Sequence, residues 1–357
     1  MDRHDVSEVV TAKHVALLHQ EDLKIEHKFG CKGLTYWFDE KRKTAFCLIE
    51  APNKKAVQNM HKEAHGEIPH KIIEVNANLV ESFLGRIEDP DSVQNNGLNI
   101  ISDPAHRTIM VIELRMISML NEDLLNNVNK ILRNILTKFK GGIVKHYDDY
   151  ILISFASVSK AVLCSLEIQS KIKKIISKIG DTNFKIKIGL SSGAPVTKKA
   201  SIFEDTIKLA ERMCKISDAE IVVSSEVKDL YKSENLNIFI EGEQVFALTP
   251  SDEQFLNLLF DYIEDVWRNT NLKVDDFNKH LGYSKSKLYR KMMILTKKSP
   301  NTFLNEYRLS KALELLNKKK GNISEIAFAS GFNSLSYFSK CFQKKYHLLP
   351  SDYLSSN

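Results

Sequence analysis

Apolar residues change their spacing three times along the chain, and each change marks a different kind of element. Up to about residue 82, short apolar runs predict strands over 1–6, 34–38, 44–50 and 71–75, and recurrence every three or four residues predicts helices over 11–29 and 53–65. The order βαββαβ is the ferredoxin-like plan. The stretch EDPDSVQNNGLNIISDPAH, with its Pro, Gly, Asn and Asp, reads as a linker over 83–105. From 106 to 250 the pattern alternates: the strand TIMVIEL, a helix over 121–139, the hairpin GIVKHYDDYILISF, a helix over 159–177, a strand over 184–190, a helix over 204–216 and a strand over 221–224. That alternation predicts an α/β layer. From about 251 to 357 only helical periodicity remains. The expected fold class is therefore an α+β multidomain chain: a ferredoxin-like domain (1–82), a linker (83–105), an α/β domain (106–250) and an all-α domain (251–357).

The helical block contains a degenerate repeat. In SEIAFASGFNSLSYFSKCFQKKY, Asn322 and Glu325 have capping-box spacing, with Ile323, Ile326 and Ala327 facing inward. Gly331 suits a sharp turn, and Ser334 or Asn333 caps the next helix. On that helix Leu335, Phe338, Cys341 and Phe342 form the inward stripe and Ser336, Ser339, Lys340 and Gln343 the outward one. The same design stands 49 residues earlier, with Gly282 at the turn, Ser284 at the cap, Leu288, Met292 and Leu295 inward, and Lys285, Ser286, Tyr289 and Arg290 outward. Two helix-turn-helix units are predicted, joined by a helix over 302–317 that would set their separation. Reading helices in successive major grooves lie about 34 Å apart.

Charge sharpens this picture. From Lys273 onward there are 16 Lys and Arg against 6 Asp and Glu, a net +10 that leaves −4 on the rest of the chain. A basic block on a mildly acidic body suits a polyanion. The five cysteines, Cys31, Cys47, Cys164, Cys214 and Cys341, never form a CxxC pair, which excludes a zinc ribbon or a disulfide scaffold and suits free thiols. No apolar run approaches the roughly 20 residues of a membrane span, and MDRHDVSEVV lacks the features of a signal peptide. The expectation is a cytoplasmic protein without a membrane partner.

The residues SKSKLYRKM, SPNTFLNEYRLSKALELL, ISEIAFASGFNSLSYFSKCFQKKY and LLPSDY resemble the AraC/XylS family of transcriptional regulators over about the last 105 residues. The resemblance implies binding of double-stranded DNA through two recognition helices, 284–292 and 334–344. The base-reading positions fall on Ser286, Tyr289 and Arg290 in the first and on Leu335, Ser339 and Lys340 in the second; Lys285 and Ser336 share those faces. Arg290 suits bidentate pairing with a guanine edge, and Leu335 an apolar contact such as a thymine methyl. The alternative for Arg290 and Lys340 is phosphate contact without sequence reading. Lys298 and His347 stand where many members have glycine before the following turn, and Lys318, Lys319 and Lys320 read as a solvated loop.

Residues 106–250 look like a class III nucleotide cyclase homology domain, on GGIVKHYDDYILISF, KIGLSSGAPV and FEDTIKLAERMCKISDAEIVVSSEV. Carried over, the two metal-binding carboxylate positions are Glu113, where the family has Asp, and Asp149, whose preceding turn glycine is replaced by Asp148. The ribose-orienting Asn position is Lys208 and the phosphate-binding Arg position is Arg212. Phosphoryl chemistry on two metals tolerates little displacement, since about 1 Å can cost 10²-fold in rate. The expectation is a degenerate domain that dimerises rather than an enzyme, with nucleotide binding through Glu113, Asp149, Lys208 and Arg212 left open. The rival reading is a nucleotide cyclase with a regulatory DNA-binding domain.

The first 75 or so residues, best in AFCLIEAPNKKAV and the closing IIEV, resemble a small ferredoxin-like family in which some members bind nickel. In that topology His4 and Cys47 lie on neighbouring central strands, and His61 and His65, spaced i, i+4, share a helix face. Imidazole and thiolate suit nickel or another transition metal, so His4, Cys47, His61 and His65 form the candidate set, with His19 as a further possible ligand. The sequence as a whole reads as a transcriptional regulator, a homodimer whose N-terminal domains sense a small effector, metal or nucleotide.

Overall fold

The computed structural model describes residues 1–90, 98–115, 122–147, 150–179, 185–216, 219–236 and 245–355. The first sheet is built from β1 (Asp2–Asp5), β2 (Lys32–Asp39), β3 (Thr44–Glu50) and β4 (Lys71–Ile72), in the order β2-β3-β1-β4. Every neighbouring pair is antiparallel. On its helical side lie α1 (Ala12–Ile25) and α2 (Lys54–Ala64). Asn53 caps α2 by accepting a hydrogen bond from the Ala56 amide. The helix expected over 11–29 ends at Ile25, and its last turn tightens into a 3-10 segment, Glu26–Phe29, closed by Gly30 in the left-handed region. Strand alternation sorts β3: Ala45 and Cys47 pack with Val15 and Ala16 of α1, while Phe46 and Leu48 face away.

The segment expected to be a linker is substantially part of the core. α3 (Ala77–Leu84), capped by Asn76, lies across the expected junction and buries Val80, Phe83 and Leu84. Further on, the Tyr36 hydroxyl accepts from the Ile101 amide at 2.9 Å and donates to the Asn99 carbonyl at 2.8 Å, fixing the strap to β2.

The second sheet comprises β5 (Arg107–Arg115), β6 (Gly142–His146), β7 (Tyr150–Phe155), β8 (Lys185–Gly193), β9 (Ile221–Val223) and β10 (Val245–Ala247), in the order β10-β9-β8-β5-β7-β6. The intervening helices are α4 (Glu122–Lys138), α5 (Val158–Ile179), α6 (Glu204–Cys214) and α7 (Ser225–Glu234). The pattern did not disclose α7 and β10. Both faces of β5 are buried, which is why TIMVIEL reads as one apolar run rather than an alternation. Met110 and Ile112 pack with α4, α5 and α7. Ile109 and Val111 pack with α6, with α3 and with Trp37, Phe46 and Leu48 of the first sheet. The first sheet therefore lies against the second through its open face.

The helical block is α8 (Pro250–Val266), α9 (Val274–Leu281), α10 (Lys285–Thr296), α11 (Pro300–Asn317), α12 (Ile323–Ala329), α13 (Leu335–Tyr346) and α14 (Pro350–Ser355). It is held by two separate cores. One joins α8, α9 and α10 to Leu209, Met213 and Ile216 around α6 and to Val222 of β9. The other contains Leu309, Ala312 and Leu316 of α11 with Ile326, Ala327, Phe332, Phe338 and Phe342. Among the described residues no helix is long and apolar enough to cross a membrane.

Candidate nucleic-acid interface and buried metal-ligand cluster

The two reading helices are built to one plan. Ser284 and Ser334 cap α10 and α13, accepting from the Lys287 and Tyr337 amides. Leu288, Met292 and Leu295 are fully buried on α10, as are Phe338 and Phe342 on α13. Both helices end on a left-handed residue, Lys297 at φ 55 and His347 at φ 61. The glycine-like position of the first unit is thus Lys297, one residue before Lys298. Lys298 instead extends its ammonium to Glu306 at 2.6 Å. A left-handed backbone at lysine or histidine is sterically costly, which is why glycine is common there.

The outward faces carry the expected residues. Lys285, Ser286, Tyr289 and Arg290 are all exposed on α10, and Lys285 is ion-paired to Asp275 at 2.8 Å. On α13, Ser336 and Lys340 are exposed and Ser339 is half-buried. Leu335 was expected in the inward stripe, but it is 39% exposed at the first position of its helix. It stands exposed, as the base-reading position implied by the resemblance requires. Cys341, likewise expected inside, is half-buried.

Buried polar contacts set the two units relative to their neighbours. The Arg308 guanidinium donates to the Trp267 carbonyl at 2.8 Å and the Asn269 carbonyl at 2.6 Å, bolting α11 to the end of α8. Gly331, at φ +81, lies so close to Trp267 O that a β-carbon would collide with it. At the other unit, Lys291 of α10 reaches Asp252 in the first turn of α8 at 2.5 Å.

Of the four middle-domain positions, three lie among the described residues. Glu113 lies on β5 opposite Tyr150 and Lys187. Asp149 lies outside the described residues. Lys208 is paired with Glu204 at 2.8 Å. Arg212 is buried and turned onto α8, donating to Asn257 Oδ1 at 2.8 Å and to Asp261, with Glu264 at 3.6 Å. The guanidinium that the cyclase resemblance would give to phosphate is thus engaged by α8. Positions 257, 261 and 264 share one helix face, a polar stripe the sequence displayed and the motif reading passed over.

In the N-terminal unit His4, Cys47, His61 and His65 do approach one another, joined by two carboxylates that the sequence reading missed. Asp2, His4 and Cys47 form one group of potential ligands and Asp22, His61 and His65 a second. They touch where His61 Nε2 meets Asp2 Oδ2 at 3.0 Å. His61 Nδ1 lies 3.0 Å from Asp22 Oδ1 and 3.3 Å from His65 Nε2, and that nitrogen lies 3.2 Å from the same Asp22 oxygen. Asp2 Oδ1 accepts from the Cys47 amide at 3.0 Å. His19, the other histidine considered, pairs with Asp89 at 3.5 Å instead.

The electrostatics favour positive charge here. Burial alone would lower the His61 pKa, but the hydrogen bond to Asp2 and the charges of Asp2 and Asp22 outweigh it and hold the ring up at about 9. Burial likewise opposes ionisation of Asp2 and Asp22, yet their histidine partners keep both below the ordinary carboxylate range. The Cys47 thiol is pushed up by burial, with the Asp2 and Asp22 charges adding to it. His4 Nε2 and Asp22 Oδ1 are buried without a hydrogen-bond partner. Asp22 Oδ1 stands within ion-pairing distance of two rings and in hydrogen-bond alignment with neither. Orphaned donor atoms, imidazoles and carboxylates in one buried cluster fit a divalent transition ion.

A family profile described as "Helix-turn-helix domain" matches residues 278–356, and one described as "Nickel responsive protein SCO4226-like" matches residues 1–75. The HTH-type transcriptional regulator MtrA of Neisseria gonorrhoeae is 32% identical over 95 residues, covering 27% of this chain and 30% of that protein. Histidine kinase P4 of Formosa agariphila is 29% identical over 290 residues, covering 74% of this chain and 19% of that one. The chain thus spans less than a third of the length of either relative. Among solved structures, the C-terminal domain of AraT, a response regulator from Geobacillus stearothermophilus, is 26% identical over 31% of this chain and 88% of its own, with a TM-score of 0.28. The adenylyl cyclase CyaB from P. aeruginosa is 20% identical over 36% of this chain and 81% of its own, with a TM-score of 0.29. The chain carries a helix-turn-helix domain at its C-terminal end and a SCO4226-like domain at its N-terminal end.

Proposed function

We propose that the protein is a sequence-specific, DNA-binding transcriptional regulator of the cytoplasm, acting as a homodimer, whose N-terminal unit senses a transition metal such as nickel. The observation that carries the DNA reading is the shared construction of α10 and α13: a serine cap, a fully buried apolar face, an exposed polar face and a left-handed stop. Phosphate contacts from Lys285 and neighbouring basic residues supply affinity that falls steeply with salt. Ser286, Tyr289, Arg290, Leu335, Ser339 and Lys340 supply base reading, with Ser336 beside them. Metal occupancy favours one arrangement of the DNA-binding units over another, which is how an effector bound far from DNA alters affinity. The engagement of Arg212 by α8 favours regulation over nucleotide turnover.

Selection of the full chain against a random duplex library tests the reading. Enrichment of one motif with two blocks a helical turn apart supports it. Recovery of unenriched DNA at every salt concentration contradicts it.

A further inference from the structure

The geometry points to a single divalent-ion centre made by Asp22, His61 and His65, with Asp2 as the residue that orients His61 rather than as a ligand. This rests on the metal-sensing reading above and assigns the atoms that serve it. Asp22 Oδ1, His61 Nδ1 and His65 Nε2 form a nearly equilateral triangle with sides of 3.0, 3.2 and 3.3 Å. Ligand atoms about 2.0–2.1 Å from one first-row ion must lie roughly 2.9–3.4 Å apart, from octahedral to tetrahedral geometry. The triangle is therefore already at ligand spacing. In the other group, Asp2, His4 and Cys47, His4 Nε2 stands 3.5 Å from Asp2 Oδ1, beyond ligand spacing.

Two further observations single out this triangle. Asp22 is only 4% exposed and its Oδ1 has no hydrogen-bond partner, so a buried oxygen is aimed at the centre without a donor. His61 has its remaining nitrogen, Nε2, against Asp2 Oδ2 at 3.0 Å. When an ion displaces the Nδ1 proton, that contact keeps the other ring proton on Nε2 and leaves the Nδ1 lone pair facing Asp22 and His65, the carboxylate–histidine–metal arrangement that fixes a ligand's tautomer. Asp2 is itself held by the Cys47 amide, so its aim is set by β3.

His65 is the adjustable ligand. Its Nδ1 accepts from the Glu67 amide at 3.2 Å, so ligation through Nε2 moves the ring proton to Nδ1 and opens that bond. Gly66, at φ +87 with nothing within 4 Å of where a β-carbon would stand, leaves that peptide room to turn. Ion binding thus rearranges the end of α2 while β1 and α1 hold their places. The ion is a divalent first-row cation taking nitrogen and oxygen donors.

Calorimetric titration of the full, metal-stripped chain with Ni²⁺ is the test, together with the absorption spectrum of the Co²⁺ form. One ion per chain is expected, with affinity lowered at least 100-fold by Asp22→Asn or His61→Ala and by about 10–100-fold by Asp2→Asn. Cys47→Ser should leave affinity within threefold, and the Co²⁺ spectrum should lack a thiolate charge-transfer band. A thiolate band removed by Cys47→Ser, or full affinity in Asp22→Asn, overturns the assignment while leaving metal sensing in place. Failure of the unaltered chain to bind Ni²⁺ or Co²⁺ overturns both. Asp22→Asn is nearly isosteric, and its retention of the unaltered chain's metal-free DNA affinity separates loss of a ligand from loss of the fold.

Discussion

The two helix-turn-helix units share a plan yet differ in what holds them. The first has no core of its own: Leu288, Met292 and Leu295 belong to the cluster that includes Leu209 and Met213 of α6 and Phe255 to Ile263 of α8. The second closes on itself, with Phe338 and Phe342 packed against α11 and α12. It reaches the rest of the molecule through α11 and the Arg308 contacts to Trp267 and Asn269. The same sequence design therefore yields one reading helix fused to the sheet-bearing body and one carried at a distance. A change in the body reaches α10 through packing, but α13 through α11, the Arg308 guanidinium and the close approach of Gly331 to Trp267 O.

Core truncation is the strongest way to break that comparison. Phe260→Ala and Phe338→Ala should each cost about 3–5 kcal/mol. In denaturant, Phe260→Ala should lower the transition of the body and first unit together, whereas Phe338→Ala should create a separate early transition for the second. A single shared transition in both variants would erase the distinction. Next in size is base reading: Arg290→Ala should weaken binding to a selected site by about 1–3 kcal/mol while sparing random DNA. Equal loss on both, with a salt slope smaller by about one, would assign Arg290 to a phosphate. Arg212→Ala should cost about 1–2 kcal/mol, discounted because Asp261 and Glu264 are half-exposed, and should loosen α10 but not α13 in hydrogen exchange. Smallest is relief of backbone strain: Lys297→Gly and His347→Gly should each stabilise by about 0.5–1 kcal/mol, since both residues sit in the left-handed region.

Much of this architecture was legible in the sequence because the informative residues act locally. Serine caps, the Gly282 and Gly331 turns and apolar positions three and four apart specify the two units with little help from the rest of the chain. β5 was equally plain, since burial on both faces leaves an unbroken apolar run. The short elements escaped, because α3 and α7 span 8 and 10 residues and β10 only 3, too few to establish a period. Leu335 was misread as core because helical spacing alone does not say where a stripe begins, and Lys298 because no glycine marked the left-handed position. At the histidine cluster the sequence supplied the i, i+4 pair but not Asp2 and Asp22. Their burial depends on strand pairing and helix docking across 59 residues or fewer, and an aspartate in a sequence gives no sign of being inside. Arg212 was readable as a motif position and unreadable as a strut, since its partners lie 45 and 49 residues on.

Dimethyl sulfate footprinting of the full chain on a selected promoter fragment bears most directly on the central claim, because the reagent attacks guanine N7 in the major groove, where α10 and α13 are assigned. The account predicts two protected patches centred about 10 base pairs apart, the first lost in Arg290→Ala and the second in Lys340→Ala. Protection of a single patch, or none at low salt, would contradict it.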